Sequence, residues 1–272
     1  MTKNGGSSKG GTIAALTLAC CAAVAAPCFA VPPLVSGDVP TAEKGLGEVY
    51  LGFQKEETGG REYEAPANEV VLGISSWQEV TFELPYLIQR PQGTASQSGF
   101  GDAVLGTKMV FLHETTEGPG AAVSFETKLT NADAGKGLGS GAVDYDIRLR
   151  AQKTFGWFTA IGNAGYTFVG EPVISGLRRS RRNVLFLSFA QEYQIAPKTM
   201  LLSEFYSENS DTPGEPARFA GNIGFSHELR SWLQVHAAAG KSLRAGGTGG
   251  PELRLYAGFM LEFPVFVRRR II

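Results

Sequence analysis

The chain has 272 residues, with 25 Lys and Arg against 26 Asp and Glu and a formal charge of −1. With no basic surplus it is not built to neutralise a nucleic acid, and beyond its first 30 residues no apolar run approaches the length of a spanning helix. Its three cysteines, Cys20, Cys21 and Cys28, all lie in that first stretch, so the rest has no disulfides, thiolate metal sites or cysteine nucleophiles.

Residues 1–30 read as a secretory signal. Lys3 and Lys9 supply the positive start, Thr12 to Ala26 the apolar core, and Cys28-Phe29-Ala30 a small-x-small cleavage site. Acylation at Cys20 or Cys21 is the competing reading, but Thr17-Leu18-Ala19 is a poor lipobox. Removing Lys3 and Lys9 takes the 25 basic residues to 23 against 26 acidic, a charge of −3. Residues 31–46 are rich in Pro and Gly and read as a loose periplasmic lead-in.

From there to residue 263 the sequence alternates with period two, the mark of strands with one apolar and one polar face. The candidates, about twelve by the strand rhythm, are Glu48–Lys55, Tyr63–Ser75, Gln78–Ile88, Gly99–His113, Ala121–Thr130, Ala142–Lys153, Trp157–Val169, Asn183–Ile195, Thr199–Ser207, Ala217–Glu228, Trp232–Ser242 and Glu252–Phe263. Their connections alternate between short ones, such as Ser76-Trp77 and Thr154–Gly156, and longer polar ones, such as Asn131–Gly141 and Gly170–Arg182. An even number of strands with loops sorted this way predicts an all-β fold: a transmembrane, antiparallel, up-and-down β-barrel in the bacterial outer membrane. Both termini then lie in the periplasm and the long loops outside.

One face of each strand suits lipid. Examples are Leu253, Leu255, Ala257, Phe259, Leu261 and Phe263 in the last strand, and Leu185, Leu187, Phe189 and Tyr193 in the eighth. The opposite faces carry Glu79, Glu83, Asp102, Lys108, Glu126, Lys128, Asp144, Asp146, Arg148, Arg150, Glu192, Glu204, Arg218, Arg254 and Glu262. Only a wet or ion-paired lumen accepts these, so they are the candidate lumen-lining residues, as a polar track for a solute or as a network filling a narrow interior. Tyr50, Trp77, Tyr86, Trp157, Tyr166, Tyr193 and Trp232 fall near strand ends and are expected to form an interfacial girdle. Phe263 supplies the terminal aromatic that barrel-assembly machinery reads. The chain continues through residues 264–272 with a basic tail, Arg268-Arg269-Arg270.

Ser98 to Val169 resembles a known family. Gly99-Phe100-Gly101-Asp102 leads into Val104-Leu105-Gly106-Thr107-Lys108, followed by Lys128 to Asp133, Lys136 to Gly141 with Asp144-Tyr145, and Asn163 to Phe168. Leu84-Pro85-Tyr86 fits as well. This set is similar to the family named "Putative MetA-pathway of phenol degradation", transporter-like barrels of the outer membrane, and covers roughly Gly45 to Val169. The family usually has Pro and Gly in the loop where this chain reads Thr130-Asn131-Ala132. The resemblance implies an address and an architecture more than a substrate.

Other motifs have plainer explanations. Gly137-Leu138-Gly139-Ser140-Gly141 lacks the Lys-Ser/Thr of a phosphate loop and reads as a glycine turn. Asp144 and Asp146 share a face with Arg148 and Arg150, which favours ion pairs over a Ca²⁺ site. Arg178-Arg179-Ser180-Arg181-Arg182 is either a solvated loop end or a lipopolysaccharide-phosphate site. The one arrangement for an outer-membrane lipase is Ser203 with His227 across neighbouring strands. The expected function is passive: a channel for a small solute, aromatic or otherwise hydrophobic, through the lumen or a lateral opening. It has no catalytic residue, metal or cofactor, and its surroundings are outer-membrane lipid. The alternative is a structural or surface-binding barrel whose lumen is filled.

Overall fold

The computed structural model describes residues 33–57, 60–91, 95–174, 177–178, 180–244 and 252–265. Residues 1–30, expected to be a secretory signal, lie outside them, as do Arg179 and residues 266–272 of the tail. The strands are β1 (Leu46–Glu57), β2 (Gly60–Ser75), β3 (Gln78–Glu83), β4 (Tyr86–Pro91), β5 (Gln97–Phe100), β6 (Val104–Leu112), β7 (Gly120–Lys128) and β8 (Asp144–Phe155). After them come β9 (Phe158–Phe168), the small loop hairpin β10 (Val173–Ile174) and β11 (Leu177–Arg178), then β12 (Val184–Ala196), β13 (Thr199–Glu208), β14 (Arg218–Arg230), β15 (Leu233–Ser242) and β16 (Leu253–Pro264).

Twelve staves close into one antiparallel barrel. Each pairs with its sequence neighbour, and β1 closes the ring by pairing with β16 from Leu46↔Pro264 to Glu57↔Leu253. Closure gives every stave a partner on both sides, which is what lets strands cross hydrocarbon. The alternation then sorts side chains. Leu185, Leu187, Phe189, Phe205, Ile223, Phe225 and Phe259 point out and are exposed, while Ser124, Asn163, Glu192, Glu204 and Asn222 on the same sheet are buried inside. Trp77, Trp157 and Trp232 sit exposed at the short turns as the girdle requires. Tyr50 does not join them. It shares the inward face of β1 with Glu48, and its buried hydroxyl donates to the Glu48 carboxylate.

Two expected strands are each broken in two. Gln78–Ile88 splits into β3 and β4 at Leu84-Pro85, because Pro85 has no N–H for the ladder. Gly99–His113 splits into β5 and β6 at Gly101–Ala103. On the neighbouring β2 the pairing with β3 stops at Glu69↔Glu83 and resumes with β4 at Glu64↔Leu87. The Asn68 side chain sutures this break: its Oδ1 accepts from the Leu84 N–H and its Nδ2 donates to the Leu84 carbonyl.

The largest departure is the segment expected to be a loose lead-in. Residues 33–42 run inside the barrel as a strap across the lumen, with Leu34, Ser36, Asp38, Val39 and Ala42 buried. The strap enters at the short-turn end against Gly73, where any Cβ would lie 2.1 Å from the Glu43 carbonyl oxygen. It lacks period two, so no strand is expected there, but its contacts come from the wall rather than from any pattern of its own.

If the outward face meets hydrocarbon, Ile223→Arg destabilises the folded barrel in bilayers by ~2–4 kcal/mol at mid-depth, whereas Ile223→Leu is near neutral. Urea titration of the heat-modifiable band in lipid vesicles measures both.

Candidate functional site

The barrel wall holds the strap mainly by its main chain. Glu204 on β13 accepts from the N–H groups of Val35 and Ser36, each at 2.8 Å, and from the Ser36 hydroxyl at 2.6 Å. Asn163 on β9 both accepts from the Gly37 N–H and donates to the Gly37 carbonyl, each at 2.9 Å. Gln152 accepts from Val39 N–H at 3.3 Å and Glu79 from Ala42 N–H at 2.7 Å. Arg254, Arg148 and Arg150 donate to the carbonyls of Pro33, Val35 and Asp38. Alternation is the reason these side chains converge: all lie on the inward parity of their strands.

One ion cluster fixes the middle of the strap. Lys108 Nζ lies 2.9 Å from Asp38 and 3.0 Å from Glu79, and all three side chains are almost fully buried. Apolar seats flank it. Leu34 packs on Ile161, Ala190 and Leu202, Val35 against Phe186, Tyr206 and Ala220, and Val39 on Val110 and Ala122. The Arg148 guanidinium lies 4.2 Å from the Phe186 ring centre.

The strap leaves a cavity of about 290 Å³. Its lining includes the carboxylates Glu48, Glu64, Glu69, Glu83 and Glu126 and the guanidinia of Arg148, Arg150 and Arg254, with Arg150 3.8 Å from Glu126. Ala67 and Asn68, at the break in the wall, also line it. The cavity therefore reaches the place where the stave ladder is interrupted.

The sequence-derived residues sort by height and partner. Glu79, Glu83, Lys108, Glu126, Arg148, Arg150 and Arg254 line the cavity. Glu204 lies on the strap's other flank, and Glu192 is buried with 1% exposure. Towards the long loops Lys128 pairs with Asp144, Asp146 with Arg148 at 3.7 Å, and Arg218 with Glu208 at 3.3 Å. Glu262 sits near the short-turn rim beside Glu48 in register. Asp102 does not line the cavity; it accepts from the Ala132 and Ser140 N–H groups and pins the Asn131–Gly141 loop. That carboxylate already takes the Ser140 amide of the glycine loop, and its charge would repel a phosphate there. In the same loop the Lys136 backbone N–H holds the exposed Asp133 carboxyl below its usual pKa.

Two further arrangements resolve plainly. Ser203 pairs in register with Ile223, four residues from His227, whose ring meets Thr199 Oγ at 2.8 Å. The lipase pair is not formed. Arg181 pairs with Asp211, and Arg182 donates to the carbonyls of Ser210, Thr212 and Glu215, so these two arginines tie neighbouring loops together. Among the described residues no cluster of His, Asp and Glu has the arrangement of a metal site.

Sequence reasoning missed Glu64 and Glu69 as lumen residues because they differ in parity. β2 carries one extra residue between its pairings Gly52↔Ala67 and Gln54↔Glu64, and this bulge turns both carboxylates inward.

Removing Lys108 leaves Asp38 and Glu79 as neighbouring buried carboxylates, a change that costs ~3–5 kcal/mol when a buried pair is broken. Lys108→Met is therefore expected to loosen the strap while the barrel stays folded. A Val39→Cys reporter in a chain without other cysteines would show it, as maleimide labelling faster by at least about tenfold, the factor that about 1.4 kcal/mol gives.

The fold is that of outer-membrane proteins. The COG4313 outer membrane channel from Pseudomonas putida F1 superposes with a TM-score of 0.70 at 13% identity, over 85% of this chain and 100% of that one. The NanC porin gives 0.54 at 10% identity over 79% and 98%, and the KdgM porin, solved in complex with disordered oligogalacturonate, 0.51 at 10% over 79% and 99%. None of the curated proteins compared with it matches its sequence. The family model described as "Putative MetA-pathway of phenol degradation" matches residues 40–254, from within the strap to the last stave, and the chain belongs to that family.

Proposed function

We propose that the protein is an outer-membrane channel that passes small solutes with an apolar or aromatic body through the side of its wall. The observation that carries this reading is the cavity's extent: it is floored by the strap and reaches Ala67 and Asn68 at the wall break. The strap obstructs a straight path down the lumen, whereas the break adjoins the lipid-facing surface. Pro85 and the Asn68 suture replace regular ladder bonds there, so widening the break sacrifices two side-chain hydrogen bonds rather than a run of backbone pairs. The cavity wall is charged, so the solute best suited to the route is amphiphilic, its apolar part in the break and its polar end among the carboxylates and guanidinia. The likeness to channels and porins supports a transport role in the outer membrane.

The strap also favours a second reading, a closed scaffold with a filled lumen. Conductance and uptake separate the two. In the channel reading, vesicles holding the protein take up a hydrophobic fluorescent probe faster than empty vesicles. Asn68→Cys with Leu84→Cys, facing positions across the break, abolishes that uptake on oxidation and restores it on reduction. Uptake indifferent to the cross-link would overturn the lateral route, and uptake equal to that of empty vesicles would favour the scaffold.

A further inference from the structure

The strap is held as a bound peptide is held. Five of its N–H groups, those of Val35, Ser36, Gly37, Val39 and Ala42, are taken by wall side chains, and four of its carbonyls, those of Pro33, Val35, Gly37 and Asp38, receive wall donors. These donors and acceptors stand on several staves, and none of them belongs to the strap itself. Main-chain hydrogen bonds give a peptide groove its grip, and side-chain pockets give it selectivity.

The pockets here define a sequence. Leu34 fills a seat of Ile161, Ala190 and Leu202, and Val35 rests on Phe186 and Tyr206. Ser36 donates its hydroxyl proton to Glu204, and its Oγ lies 2.8 Å from the Ser188 hydroxyl, from which it can accept. Position 37 is crowded by a side chain of the wall: a Cβ there would lie 2.3 Å from Arg150 Nη1, so a bulky residue has to displace the Arg150 guanidinium and its bond to the Asp38 carbonyl. Asp38 meets the Lys108 ammonium.

We propose that the lumen wall is a peptide-binding groove, and that the strap is its resident ligand. The groove takes an extended segment reading apolar-apolar-Ser-Gly-Asp, from this chain or supplied in trans through the short-turn mouth. A free segment of that chemistry then closes the lumen whenever the resident strap is unseated. This does not depend on which solute crosses the wall, because the test reads ionic current and not uptake.

The experiment uses the full chain carrying Gly37→Phe, which leaves all twelve staves unchanged and denies the strap its seat. In planar bilayers its current is expected to exceed that of the parent. A synthetic peptide of residues 33–42 should return the current to the parent level. The same peptide with Phe at position 37, or with scrambled order, should not. Asn163→Ala in the barrel, which removes both bonds to Gly37, should weaken the native peptide's block by about tenfold, the factor expected for two hydrogen bonds. Heat-modifiable migration confirms that each variant is a folded barrel. If Gly37→Phe does not fold, Asp38→Ala in the full chain takes its place, since it removes a strap side chain only. A variant current no higher than the parent's, no block by millimolar native peptide, or equal block by the scrambled peptide each overturns the proposal.

Discussion

A backbone that crosses hydrocarbon has to bond to itself, and here that requirement is met by closing the sheet. The pairing of β1 with β16 runs the full length of both strands, so neither end of the stave sequence is left as an open edge at membrane depth. Once the ring is closed, the pleat does the rest. Each side chain is committed to lipid or to lumen by its parity, and a one-residue slip would exchange the two sets. The charged residues inside and the bare Leu and Phe outside are thus consequences of a single register. That register also decides which polar groups can meet the strap.

The alternation made the staves legible. Arg148 and Arg150, for instance, stand on the lumen face of β8 opposite Leu149, which is exposed outside. Where period two fails, so does the inference. At Pro85 the chain breaks a stave that hydropathy alone draws as continuous, and in β2 one extra residue reverses parity between Glu64 and Glu69. Tyr50 looks like a girdle residue by its place near a strand end, but its parity puts it inside with Glu48. The strap was not legible at all. Pro33, Gly37 and Pro40 exclude regular structure, and nothing local distinguishes a segment that trails in water from one that fills a lumen. Its placement depends on side chains as far away in sequence as Glu204 and Arg254, which a single sequence does not connect to it.

The lumen's charges explain why a strap of this kind can sit there. A side chain such as Glu204 inside a narrow barrel needs donors, and among the described residues of the wall Asn222 on the neighbouring stave supplies one. The strap adds two backbone N–H groups and a hydroxyl, so the carboxylate is solvated by peptide in place of water. The arginines do the converse for the strap's carbonyls. Lys108 goes further, since it faces Glu79 on the adjacent stave and gains a second carboxylate, Asp38, only when the strap is seated. Wall and strap are each incompletely bonded without the other.

The cavity on the other side of the strap has a different balance. Glu64, Glu69 and Glu83 line it, while the guanidinia of Arg148 and Arg254 already donate to strap carbonyls. Carboxyl groups therefore make up most of the charged lining that the strap does not engage, and in the lateral route proposed above a hydrogen-bond-donating end suits it better than an anionic one. The wall break adds the complementary half of the preference. Its outer side adjoins exposed Phe82 and Leu105 on β3 and β6, an apolar surface next to a polar chamber. In the proposed lateral route, a molecule that satisfies both has a greasy body and a donor-bearing end. Selectivity would then be set at the junction of Asn68 with Leu84, where the two environments meet across the width of one stave.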